Sequence, residues 1–325
     1  MDKEISKNLQ REEGKETLNL ISSLPSDVDF DGTKLFMYQG CWYKDETLQG
    51  ILRCQRDFEP QDTDIIVASF PKSGTTWLKA LTVALLERSK HSSDNHPLLH
   101  DSPHSLVPFL ELRLYYMKSS KPDLTNISSS PRLFSTHMPF HTLRVALKNS
   151  PCKIVYVWRN VKDVLVSYWH MKCAKQEIEE EKSPLESMFE SYCTGVTYYG
   201  PFWEHVVSFW RRSLEYPKNV LFLTYEELKT EPRAQLKKLA EFLGCPFTLQ
   251  EEESGSVEEI LDLCSFSNLK NLEINKTGRT PTGIDHKNFF RKRNIGDSKN
   301  YLTPEMEKRI DMIIEEKFRG SDMKF

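Results

Sequence analysis

A single-domain α/β fold with a mainly parallel central sheet is predicted by three short apolar, β-rich runs, at 64–69, 153–158 and 220–224, each followed by helical periodicity. The first run, DIIVAS, leads through PKSGTTW into LKALTVALLERS, where Leu78, Leu81 and Leu85 recur at helical spacing. The second, KIVYVW, ends at Arg159 and is followed by NVKDVLVSYWHM, a predicted helix with Asn160 or Asp163 near its start and Val161, Leu165, Tyr168 and Trp169 available to pack. The third ends at Tyr225; Glu226, Glu227 and a helix from Pro232 to Leu243 follow, with Gly244 as its terminator.

Lesser elements fill in around these. Leu133 to Thr136 is a short strand candidate running into His137. Tyr38 to Cys54 reads as a hairpin covering part of the core. The aromatic stretch through Phe189, Tyr192, Tyr199, Phe202, Trp203 and Phe209 reads as helical core packing, and the acidic stretch 177–182 as a solvated face or loop. Glu258 to Leu263 is a short helix, and Thr303 caps a last one with Pro304 in its first turn. Residues 1–20 mix charges of both signs without an apolar core and are read as a polar arm, leaving 21–325 as the folded domain.

Composition narrows the function classes. With 325 residues the chain can bury a large core, so it is not a small disulfide scaffold. Its 44 Lys and Arg against 47 Asp and Glu give a formal charge of -3, which argues against a generally basic nucleic-acid binder. Any anion must therefore meet a local cluster. Seven scattered cysteines without a CxxC pair favour reduced thiols and a cytoplasmic address. No apolar run is long enough to span a bilayer, so no membrane partner is expected. His91, His96, His100 and His104 have no standard metal spacing and are read as a loop bordering a pocket, so no metal is expected.

The chemistry-bearing residues fall into three groups. Between the first strand and its helix, PKSGTT offers backbone donors at a helix N-terminus, the Lys72 charge, the flexible Gly74, and the hydroxyls of Ser73, Thr75 and Thr76. The spacing is not GxxxxGK[ST]. Arg159 and Ser167 add a guanidinium fork and a hydroxyl at the carboxyl end of the second strand, and Arg291, Lys292 and Arg293 make a compact positive loop. Together they suit a ligand with negative charge at two ends.

In that order, ASFPKSGTTWLKAL, YVWRNVKDVLVSYWH and FFRKRNIGDSKNYLTPE resemble the cytosolic sulfotransferase family, particularly its plant members, over most of residues 45–325. The resemblance implies a P-loop-like nucleotide-binding architecture, 3'-phosphoadenosine 5'-phosphosulfate as sulfuryl donor, no metal, and a hydroxylated small molecule as acceptor. It implies that Lys72 through Thr76 hold the 5'-phosphosulfate, with Trp77, Phe266 and Tyr225 around the adenine. Arg159, Ser167, Arg291, Lys292 and the backbone of Arg293 are implied at the 3'-phosphate. His137 in STHMPF is implied as the catalytic base, with Lys72 stabilising the leaving phosphate. Phe109, Tyr115, Tyr116, Phe140, Met171 and Phe289 are candidates for an apolar or aromatic acceptor wall.

The chain also departs from that pattern. Arg293 stands where a glycine is usual, Cys264 where a threonine or serine is, and Ser298 where a tryptophan is. Pro304 and Lys308 alter the family's dimer motif, so a monomer or an atypical dimer is expected. Two other readings compete on the residues alone: a nucleotide-dependent phosphotransferase, against which the missing Walker spacing counts, and a non-catalytic module binding adenine nucleotide or nucleic acid, against which the sparse basic residues count.

Overall fold

A computed structural model describes residues 14–116, 121–124, 131–176, 185–280 and 283–323; the acidic stretch 177–182 lies outside them. The centre is a four-stranded parallel sheet of β4 (Ile65–Ser69), β5 (Leu133–Thr136), β6 (Lys153–Trp158) and β7 (Val220–Thr224), in the order β5-β4-β6-β7. All three principal runs are strands of this one sheet, as expected. A separate antiparallel sheet joins β1 (Ser26–Val28), β2 (Lys34–Tyr38) and β3 (Cys41–Tyr43).

Side chains alternate across the parallel sheet, and both faces are covered. Ile65, Val67, Val155, Val157, Leu221 and Leu223 pack with Leu78, Leu81 and Leu85 of α2 (Thr75–Glu87) and Leu236, Leu239 and Leu243 of α8 (Pro232–Leu243). Ile66, Ala68, Phe134, Ile154 and Tyr156 join a second core with residues of α1 (Asp45–Asp57), α3 (Phe140–Leu147), α4 (Val161–Gln176), α5 (Leu185–Thr194) and α6 (Phe202–Glu215). Every residue of β4 is buried, which is why its sequence is a continuous apolar run rather than an alternating one.

The hairpin expected across Tyr38 to Cys54 needs correction. The hairpin is β2 and β3, ending at Tyr43, and residues from Asp45 onward form α1, whose buried Thr47, Leu48, Ile51 and Cys54 follow helical spacing. The aromatic stretch forms two helices, α5 and α6, and residues 14–23 are helical too. At the C-terminal end Thr303 accepts from the Met306 amide and Pro304 opens α10 (Pro304–Lys317); the shorter α7 (Tyr225–Thr230) and α9 (Ser256–Leu263) lie on either side of α8 in the chain.

The strand order positions the site. From β4 the chain proceeds to β5 on one side, whereas from β6 it proceeds to β7 on the other. Loops leaving the adjacent carboxyl ends of β4 and β6 therefore diverge, and such a switch point leaves a crevice for a ligand. Lys72 follows β4 and Arg159 follows β6. At the opposite end of β4 a buried bidentate pair, Arg132 to Asp64 at 2.7 and 2.6 Å, ties β5 to β4.

Candidate active site

One cavity of about 640 Å³ gathers Lys72, Gly74, Thr75, Thr76, Trp77, His137, Arg159, Ser167, Tyr225, Phe266, Arg291, Lys292 and Arg293. It lies where the loop after β4 enters α2. Lys72 has φ 72° and Gly74 φ 112°, so the loop turns through left-handed backbone just before the helix N-terminus. Glycine is required at 74 for a second reason: a Cβ there would sit 2.8 Å from Tyr225 Cδ2. Ser69 Oγ meets Thr75 Oγ1 at 2.6 Å, locking the first helical residue to the end of β4. Burial, with Arg291 and Arg159 nearby, lowers Lys72 to a pKa of about 8.

The second cationic cluster is assembled by long-range bonds. Arg159 Nη2 donates to the Asn294 carbonyl at 2.7 Å, and the Tyr225 hydroxyl donates to the Arg293 carbonyl at 3.1 Å. Asp163 accepts from the Gly296 and Ser298 amides, both at 2.9 Å, so this buried carboxylate anchors the late loop to α4. Asp163 thus does not serve as the helix cap considered from sequence; the Asn160 side chain accepts from the Lys162 amide at 3.0 Å. Arg291 pairs with Asp297, Nη1 to Oδ2 2.6 Å.

Several buried donors here have no hydrogen-bond partner among the described residues: Arg159 Nε, Arg291 Nε, and Arg293 Nε and Nη2. Unsatisfied donors of this kind are costly unless a ligand meets them, and all four are cationic, so the chemistry of the set fits an anion. The Arg293 guanidinium carbon lies 3.3 Å from the centre of the Trp77 ring, and burial lowers the group to a pKa of about 10. That leaves no room for an aromatic base on this face of Trp77 while Arg293 stays there.

His137 follows β5 and is held from several sides. Its Nδ1 lies 2.7 Å from the Ser69 carbonyl oxygen, which can only accept, so Nδ1 carries the proton and Nε2 presents its lone pair. The His137 amide donates to Glu111 Oε1 at 2.8 Å, and its carbonyl accepts from His205 Nε2 at 2.8 Å. Burial lowers the imidazole to a pKa of about 3, opposed by the Ser69 bond and reinforced by Lys79 and Lys72. It is neutral near pH 7.

Phe109, Tyr116, Met171 and Phe289 line the same cavity, Phe109 with its ring centre 4.6 Å from that of His137. Three expected site residues stand apart. Tyr115 is buried against Phe58 and Phe140 packs on Phe209, so neither lines the cavity; both are turned to the apolar core, where an aromatic ring gains more by burial. Ser73 is buried and does not line the cavity.

The structure adds Lys79, His104, Glu111 and Tyr199, which sequence reasoning did not single out as site residues. Glu111 is fully buried and also accepts from Thr136 Oγ1 and the Tyr199 hydroxyl, both at 3.0 Å, so that three donors fix it beneath His137. Burial raises its pKa, against those bonds. The one available signal was Lys79, a cation among the apolar positions of LKALTVALL. Among the described residues no His, Cys, Asp or Glu cluster could hold a metal, and no helix is long and apolar enough to cross a membrane.

The fold and cavity define an α/β protein whose cavity sets unpaired cationic donors beside a neutral histidine. The sulfotransferase domain family matches residues 62–322. Cytosolic sulfotransferase 7 of Arabidopsis thaliana is 76% identical over 323 residues, 99% of this chain and 98% of that protein, and cytosolic sulfotransferase 5 of the same plant is 62% identical over 98% and 99%. A crystal structure of an Arabidopsis thaliana sulphotransferase superposes with TM-score 0.75 at 42% identity, covering 94% of both chains; a mouse sulfotransferase complexed with PAP gives 0.62 at 27%, covering 89% of this chain and 95% of that one. The chain belongs to the plant cytosolic sulfotransferase family, and is an enzyme of sulfuryl transfer to a small acceptor.

Proposed function

We propose that the cavity binds 3'-phosphoadenosine 5'-phosphosulfate across the switch point and that His137 takes the proton of an acceptor hydroxyl. The observation that carries this reading is the pairing of unsatisfied cationic donors at one end with a histidine whose free Nε2 faces the same cavity. The nucleotide supplies an activated sulfuryl group whose departure leaves a phosphate.

Lys72, Thr75, Thr76 and the N-terminus of α2 hold the 5' end, and Arg159, Ser167, Arg291, Lys292 and the Arg293 backbone hold the 3'-phosphate. Trp77, Tyr225 and Phe266 surround the base. Lys72 is placed to neutralise charge developing on the leaving phosphate oxygen. The low basicity of His137 in the free protein comes in part from Lys79 and Lys72; an anionic ligand beside Lys72 offsets that field and strengthens His137 as a base. Phe109, Tyr116, Met171 and Phe289 favour an apolar or aromatic acceptor. Family membership sets aside the phosphotransferase and the nucleic-acid module.

Calorimetry tests the donor end. Adenosine 3',5'-bisphosphate should bind at least about tenfold more tightly than AMP, because the 3'-phosphate gains charge-assisted bonds, and Arg159→Ala should erase most of that difference. Equal affinities in the wild type would overturn the assignment of Arg159. Since the base must displace the Arg293 side chain from Trp77, Arg293→Ala should bind the bisphosphate a few-fold more tightly. Weaker binding would instead make Arg293 a direct ligand.

The quaternary reading is a monomer or an atypical dimer, supported by the proline that opens α10 and by the exposed cation at Lys308. Light scattering over a concentration series should give the monomer mass, or a dimer whose interface excludes Lys299 through Lys308; a dimer centred there would refute it.

A further inference from the structure

A hydrogen-bond chain from buried Lys79 through His104 to Thr76 runs into the cavity wall, and the binding role of its first two members is not accounted for above. Lys79 lies three residues after Thr76 on the same helix and is fully buried, with no carboxylate paired to it among the described residues. Its Nζ donates to the Val107 carbonyl at 2.9 Å, sits 3.6 Å from the centre of the Phe109 ring, and reaches His104 Nδ1 at 3.2 Å. His104 Nε2 in turn is 2.9 Å from Thr76 Oγ1. The imidazole is held between Phe109, stacked with ring centres 5.9 Å apart, and Phe289 at 4.3 Å.

The polarity of this chain has a consequence for Thr76. As an ammonium Lys79 offers donors only, to the Val107 carbonyl and to His104 Nδ1. With Lys79 donating, His104 Nδ1 accepts and the ring proton belongs on Nε2. That proton goes to Thr76 Oγ1, so the hydroxyl has accepted one bond and its own hydrogen is left to donate. A buried lysine costs stability relative to an apolar residue of the same length, so its presence calls for such a task.

We propose that Lys79 and His104 are positioning residues that hold the Thr76 hydroxyl as a hydrogen-bond donor to the 5' end of the nucleotide. This rests on the reading of the cavity as the nucleotide site. The relay acts only on ligands that carry a 5'-phosphate or phosphosulfate.

Titration calorimetry with adenosine 3',5'-bisphosphate and with adenosine 3'-monophosphate on the full chain separates this from a merely structural role. His104→Phe, which keeps the aromatic stack, should weaken the bisphosphate about 5–10-fold and the 3'-monophosphate less than about twofold. In a Thr76→Val background the same replacement should add less than about twofold, because the group it acts through is gone. Equal losses for both ligands, or a loss that persists in Thr76→Val, would overturn the relay. Lys79→Met should shift the bisphosphate in the same direction by a smaller factor; it leaves the Val107 carbonyl with Ser135 Oγ at 3.2 Å, so it decides the matter if His104→Phe does not fold. Unchanged bisphosphate binding in Lys79→Met then counts against the relay. Failure of the wild type to bind either nucleotide refutes the nucleotide site itself, whereas normal wild-type binding with no loss in Thr76→Val refutes the relay alone.

Discussion

Replacing His137 by alanine should lower acceptor-dependent sulfuryl transfer by about 10²-fold or more at saturating donor and acceptor, with binding of adenosine 3',5'-bisphosphate nearly intact. The expectation follows from the tautomer. The Ser69 carbonyl takes the Nδ1 proton, so the lone pair of Nε2 is the one basic position the ring has to offer. The His137 backbone is tied to Glu111 and His205, so removing the ring leaves those bonds in place. Comparison of the mutant's binding isotherm with its rate of product formation separates catalysis from stability. Near-normal transfer by the folded variant would rule out His137 as the base.

Lys72→Met is the second change expected to have a large effect, lowering transfer by about 10²–10³-fold, because a preorganised charge at the leaving phosphate acts where water is excluded. Methionine keeps the length of the side chain and needs no more of the φ 72° backbone than lysine does. The same residue sets a pH dependence. Free Lys72 has a pKa of about 8, and a bound anion favours its ammonium form, so the complex takes up a proton above that pH. Affinity for the bisphosphate should therefore be full below about pH 8 and fall as the pH rises toward the higher pKa of the complex. Calorimetry from about pH 7 to about pH 9.5 in buffers of different ionisation enthalpy measures the uptake. In Lys72→Met this component of the fall should vanish; its persistence would assign it to another group.

Much of the architecture was legible because it is encoded locally. The runs at 65–69, 153–158 and 220–224 are buried on both faces, so their apolar content is continuous and easy to read. The caps of α8 and α10 were legible too, since Gly244 in the left-handed conformation and Thr303 with Pro304 act through neighbouring backbone. The Tyr38 to Cys54 segment was misread because its aromatic residues suggested a strand, while the buried helical positions of α1 depend on the elements packed against it.

What the sequence by itself determined is the class of chemistry: a loop of hydroxyls, glycine and lysine after a buried strand, and two further cationic groups whose order resembles the sulfotransferases. Only the tertiary structure decided which of these side chains meet. Arg159 reaches a loop 135 residues away, Glu111 fixes the His137 amide across 26, and the strand order opens the crevice between them. It also decided that Tyr115 belongs to the core, that Phe140 packs against it, and that His104, read as part of a bordering loop, joins a buried lysine to Thr76. The physical reason is that helix and strand patterns arise from contacts a few residues apart, whereas burial, hydrogen-bond partnership and pKa depend on neighbours that only folding supplies.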